Sequence, residues 1–139
     1  ESFKNYIVRG FVDAVLAWSA ADLAITRAGF GTLSEAAFHG VPTIMVPLAT
    51  SADNHQLHNA NAVANAGAGW VIEEKDSEKL AQVWEKALVN DDRDNASRAA
   101  KSRSPKGATS SFVNVIDGLL SPKLAKVLWE RKQELGIRN

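Results

Sequence analysis

The stretch Ala21-Asp22-Leu23-Ala24-Ile25-Thr26-Arg27-Ala28-Gly29-Phe30-Gly31-Thr32-Leu33-Ser34-Glu35 decides the fold. Its first part, Asp22 to Thr26, is a short and mostly apolar run that reads as a buried strand, apolar on both faces. Gly29 and Gly31 then permit a tight turn, and residues 32–39 carry a helical pattern that Gly40 ends. A strand that runs through a glycine turn straight into a helix is the opening of a βα unit, and such units assemble around a parallel sheet.

The same alternation continues on both sides. Downstream, Pro42-Thr43-Ile44-Met45-Val46-Pro47 reads as a strand with prolines at its ends, where a missing N–H is tolerated. A polar loop, Ala49-Thr50-Ser51-Ala52, leads to a helix over about residues 54–66, which Gly67 and Gly69 stop before a last strand, Trp70-Val71-Ile72. Upstream, Tyr6-Ile7-Val8 is a strand candidate, and Phe11-Val12-Asp13 turns into a helix that runs through Trp18 to Ala21. Helical patterns then cover residues 77–89, 92–102, 110–120 and 122–135, with a break at Ser104-Pro105-Lys106-Gly107. The predicted fold class is α/β: a Rossmann-like parallel sheet with flanking helices, followed by a helical tail.

With 139 residues, the chain fits one compact domain. Its 16 basic and 16 acidic side chains cancel, which removes the electrostatic case for a nucleic-acid binder. Through Trp70 there are 3 basic and 5 acidic residues, so most charges fall in the helical second half, as solvated faces. The absence of cysteine excludes a disulfide framework and thiolate metal sites. No apolar run approaches the roughly 20 residues that span a bilayer. The chain starts at Glu1 within a strand-like stretch, so a preceding part of the protein is expected.

In a parallel α/β sheet, ligands bind beyond the C-terminal ends of the strands, where loops lead into helices. Two segments fall there. In the first, Gly29 and Gly31 let backbone approach a ligand closely, and the free N–H groups at the helix start favour a phosphate. Thr32 and Glu35 also have the spacing of a T-x-x-E capping box, a purely structural role. The turn lacks the Gly-Lys-Ser/Thr of a P-loop and the third glycine of a dinucleotide fingerprint. The second segment is Asp53-Asn54-His55-Gln56-Leu57-His58-Asn59-Ala60-Asn61. Asp53 as N-cap and Gln56 three residues on form another cap, which leaves Asn59 unexplained. His55, Gln56 and Asn59 are spaced to line one helical face, and neutral amides suit sugar hydroxyls.

Other chemistries find no support. His55 and His58 lack a third ligand and an H-E-x-x-H frame, so no metal and no cofactor is expected. His39 sits where it would meet the helix dipole. No serine lies in a G-x-S-x-G turn. The tryptophans at 18, 70, 84 and 129 are scattered in the manner of packing residues.

The motifs taken together, Ala21 to Gly29, then Thr32, Glu35, Gly40-Val41-Pro42, Asp53-Asn54-His55-Gln56, Asn59-Ala60 and Ala66-Gly67-Ala68, resemble the MurG family over about residues 6–120. These bacterial transferases move N-acetylglucosamine from UDP-N-acetylglucosamine (UDP-GlcNAc) to undecaprenyl-diphosphate-muramoylpentapeptide. The resemblance implies the GT-B architecture of two Rossmann-like domains, with this chain as part of the C-terminal, donor-binding one. It places Phe11 and Val12 at the uracil, Phe30, Gly31 and Thr32 at the diphosphate, Glu35 at the ribose, and His55, Gln56 and Asn59 at the transferred sugar. Phe30 and Gly31 depart from the small and variable residues expected there.

By the same resemblance, the acceptor site and the catalytic base lie in an N-terminal domain outside these residues. The lipid-linked acceptor is then a partner of that domain, and the full protein sits peripherally at the cytoplasmic face of the bacterial inner membrane. Residues 1–120 are expected to form the partial donor domain and 121–139 a helical tail. Alternatives are another GT-B transferase that uses a UDP-sugar, or a non-catalytic nucleotide-sugar binding module that works with a membrane partner.

Overall fold

The computed structural model describes residues 6–50, 54–104, 107–119 and 122–134. Three short strands, β1 (Ala24–Thr26), β2 (Thr43–Met45) and β3 (Gly69–Val71), form a parallel sheet in that order. Ala24 lies opposite Thr43, and Thr43 opposite Gly69. Helix α1 (Ala14–Ala20) precedes β1, α2 (Phe30–His39) joins β1 to β2, and α3 (His55–Asn65) joins β2 to β3. A 3-10 segment (Glu74–Lys79) then leads into α4 (Leu80–Leu88) and α5 (Asn90–Arg103).

The sheet separates two small cores because β2 alternates its side chains. Met45 faces a cluster with Ala28, Leu33, Ala60, Val63, Ala68 and Ala100. Ile44 faces the other way, into Ile72 and Ala87, with Leu23, Trp70, Leu80 and Val83 packed around them. Every residue of β2 is buried, as befits a central parallel strand apolar on both faces. Gly69 is required where β3 meets it: a Cβ there would lie 2.2 Å from the Thr43 carbonyl oxygen. Gly40 closes α2 at φ 73°, with Gly40 N–H donating to Ala37 O and Val41 N–H to Ala36 O. That left-handed ending turns the chain directly into β2.

The structure corrects several expectations. Tyr6-Ile7-Val8 is not a strand but an exposed segment without regular structure, and no described strand pairs with it. β1 is an edge strand, and Ile25 is 47% exposed, so β1 is not buried on both faces. Helix α2 begins at Phe30, two residues earlier than its pattern suggested, because Gly29 takes the extended N-cap conformation. Trp70 packs against the core, whereas Trp84 and Trp129 are exposed. Asp53, the break at Pro105-Lys106 and the boundary after residue 120 lie outside the described residues.

The chain divides into two compact units after Ser104. The second holds α6 (Ala108–Leu119) and α7 (Pro122–Glu134). No described helix is long and apolar enough to cross a membrane.

Candidate functional site

Because the strands are parallel, the turns after β1 and β2 emerge on the same edge of the sheet. The first turn, Arg27-Ala28-Gly29, delivers the chain into α2 with no side chain capping the helix start. The first intrahelical bond comes from Leu33 N–H to Gly29 O at 3.1 Å. The amides of Phe30, Gly31 and Thr32 precede it and find no acceptor within the helix. Gly31 leaves open space above them, since a Cβ there would meet nothing within 4 Å. The Phe30 ring is 78% exposed and so does not fold back over these amides as core.

The expected capping box is absent. Thr32 is already the third helical residue, whereas a cap must stand before the helix in extended conformation. Glu35, one turn further on, reaches sideways instead: the Trp18 indole Nε1–H donates to Glu35 Oε2 at 2.8 Å. Trp18 and Glu35 line a groove of about 370 Å³ between α1 and α2, together with Ala14, Val15, Phe38 and His39. Asp13 caps α1 by accepting from Leu16 N–H at 3.0 Å. This fixes the end of the segment carrying Phe11, which is 89% exposed, and Val12, also exposed. His39 does end α2, as its position implied, with Nδ1 3.4 Å from Ser19 Oγ.

At the second turn, α3 starts from Asn54 in the left-handed conformation at φ 54°. Gln56 does not cap this helix. Its Oε1 accepts from Leu48 N–H at 3.0 Å and Ala28 N–H at 3.3 Å, across to the first turn. Asn59 Nδ2 donates to Ala28 O at 3.2 Å. His55 is exposed on the first turn of α3. The structure therefore joins Gln56 and Asn59 to the turn that precedes Phe30, Gly31 and Thr32. Phe11 and Val12 stand apart from that junction, before α1.

Three features escaped sequence reasoning. Trp18 reads as a packing residue, yet it holds Glu35. Arg27 lies within a motif but without a role of its own, yet its guanidinium donates to Val46 O at 3.1 Å and pairs with Glu74 of the 3-10 segment, so one side chain links the stretches that follow all three strands. Ala28 and Leu48 contribute only backbone, for which sequence has no signal. Among the described residues no three His, Asp or Glu side chains converge as a cation cage.

Residues 1–117 match the glycosyltransferase family 28 C-terminal domain. The chain is 52% identical over 118 residues to the UDP-N-acetylglucosamine--N-acetylmuramyl-(pentapeptide) pyrophosphoryl-undecaprenol N-acetylglucosamine transferase of Deinococcus radiodurans, covering 84% of this chain and 30% of that protein. The enzyme of the same name from Thermus thermophilus is 44% identical over 118 residues, covering 84% and 33%. Among solved structures, Acinetobacter baumannii MurG aligns with a TM-score of 0.75 at 31% identity, over 81% of this chain and 35% of that one. A glycotransferase of kitacinnamycin aligns with a TM-score of 0.66 at 26% identity, over 85% and 30%. The chain thus spans about a third of the length of these relatives. With a parallel sheet, an uncapped helix start and a carboxylate one turn along it, the chain belongs to the glycosyltransferase family 28 C-terminal domain family.

Proposed function

We propose that this chain is the donor-binding part of an inverting N-acetylglucosaminyltransferase that uses UDP-GlcNAc. The observation that carries the reading is the start of α2, where three amides without intrahelical acceptors stand one turn before Glu35. A pyrophosphate is satisfied by such amides and by the positive end of the helix dipole. A carboxylate one turn on suits a ribose diol, because it accepts from two hydroxyls and cannot donate. Trp18 engages one oxygen of Glu35 and thereby sets the direction of the other.

In this reading Phe11 and Val12 flank the uracil, and Phe30, Gly31 and Thr32 hold the diphosphate. His55, Gln56 and Asn59 meet the sugar. As the sugar leaves UDP, negative charge grows on the diphosphate, and amides already in place stabilise it without reorganising. The acceptor is the lipid-linked muramoylpentapeptide, and the base that takes its hydroxyl proton is supplied by a part of the protein outside this chain. The full protein acts peripherally at the cytoplasmic face of the bacterial inner membrane. Residues 1–120 belong to the donor domain and 121–139 to a tail.

Calorimetric titration of the chain with UDP-GlcNAc tests this. Glu35→Ala is expected to weaken binding by about tenfold or more, the worth of a charge-assisted hydrogen bond. Equal binding by both chains would remove the ribose role from Glu35.

A further inference from the structure

Ala28 is fully buried and lies outside the β1–β2 ladder, which ends at the pairing of Thr26 with Met45. Its backbone groups cannot be left without partners, since burial takes away the water that would otherwise bond them. Both partners come from α3. Gln56 Oε1 accepts the Ala28 N–H at 3.3 Å, and Asn59 Nδ2 donates to the Ala28 carbonyl at 3.2 Å. Two side-chain amides one helical turn apart thus serve Ala28 as a neighbouring strand would. The same Oε1 accepts Leu48 N–H at 3.0 Å, so one oxygen joins the turn after β1 to the loop after β2.

These bonds also fix which way the Gln56 amide points. Two backbone N–H groups converge on one atom, and only oxygen can accept from both, so a flipped amide would place donors against donors. The Gln56 oxygen is spent, and its Nε2 donors remain. Asn59 is the complement: one donor is spent on Ala28, and its Oδ1 acceptor remains.

We propose that Gln56 and Asn59 are positioning residues for the diphosphate turn, acting through Ala28, and that Gln56 meets the donor sugar solely as a hydrogen-bond donor through Nε2. The inference rests on the donor-binding reading above and deepens it, since α3 then sets the direction of the amides at Phe30, Gly31 and Thr32 even when no sugar is bound. Residues that only touched the transferred sugar would leave the binding of UDP, which lacks it, unchanged.

The test measures UDP binding by the chain, Gln56→Ala and Asn59→Ala, with amide exchange by NMR alongside. In Gln56→Ala, the amides of Ala28 and Leu48 are expected to lose about tenfold in exchange protection, while the bond from Val46 N–H, just after β2, to Thr26 O keeps its own. UDP affinity is expected to fall by about tenfold in both variants, the scale of one lost hydrogen bond. Retained Val46 protection separates a displaced turn from general unfolding. Loss of protection throughout the sheet, or undiminished UDP affinity in either variant, would overturn the positioning role. No UDP binding by the unsubstituted chain would instead overturn the donor-binding reading beneath it.

Discussion

Helix α2 opens with bare backbone, whereas α3 opens with side chains turned back toward its neighbour. At α2, Gly29 provides the extended entry and nothing caps the first amides. At α3, Asn54 makes a left-handed entry, and the first two turns send Gln56 and Asn59 across to Ala28. The two starts differ in what they leave open: one has backbone amides with no partner in its helix, and the other spends side chains on the turn that precedes those amides. An uncapped helix start is destabilised by its orphan amides, so it persists more readily when a second element fixes the chain leading into it.

The contrast can be broken most severely through the strand on which both starts depend. β2 follows α2 and leads to α3, and Gly69 is the contact that lets β3 lie against it. Gly69→Ala places a methyl group against the Thr43 carbonyl, and is expected to destabilise the fold by about 3 kcal/mol, the upper range for overpacking. Urea unfolding reads this directly, and a loss below about 1 kcal/mol would mean that β3 can shift without consequence.

A smaller effect sharpens the contrast at α3. Asn54 is the sole non-glycine residue with positive φ among those described. Asparagine tolerates that region better than alanine, so Asn54→Ala is expected to cost about 1 kcal/mol. Unchanged stability would show that the left-handed entry does not constrain α3. The smallest effect lies away from both starts, in the segment after β3, and serves as a control. The hydrogen bond from Lys79 holds the Asp76 carboxyl below its ordinary value, and the charges of Lys79 and Lys75 act in the same direction. A lowered folded-state value favours the fold above the unfolded value and loses that contribution as pH falls through the folded one. In Lys79→Met, the Asp76 midpoint followed by NMR is expected to rise, with ligand binding unaffected. A static midpoint would dismiss the ion pair.

Much of this architecture was legible in the chain. Apolar runs at Leu23 to Thr26 and Thr43 to Val46, with glycine or proline at their borders, marked strands, and their alternation with helical patterns required a parallel sheet. Tyr6 to Val8 had an equally good local pattern and no partner strand among the described residues, so local propensity did not decide. The placement of two loops on one edge also followed, from the parallel direction that the alternation requires. The partners of the side chains did not. Gln56 and Ala28 are 28 residues apart, and both the Gln56 and Glu35 readings as caps were locally consistent. Local spacing identifies the bonds a side chain is able to make, and tertiary distance decides which it makes.

The core on the α3 side of the sheet is built largely of alanine: Ala28, Ala60, Ala68 and Ala100 beside Leu33, Met45 and Val63. Such a core tolerates loss better than gain, because alanine has one methyl group to remove while any larger residue must displace the elements packed against it. A larger side chain at any of these four positions is therefore expected to destabilise the fold. The helices that carry Glu35, Gln56 and Asn59 are held close above the strands for the same reason: small side chains set the distance from strand to helix.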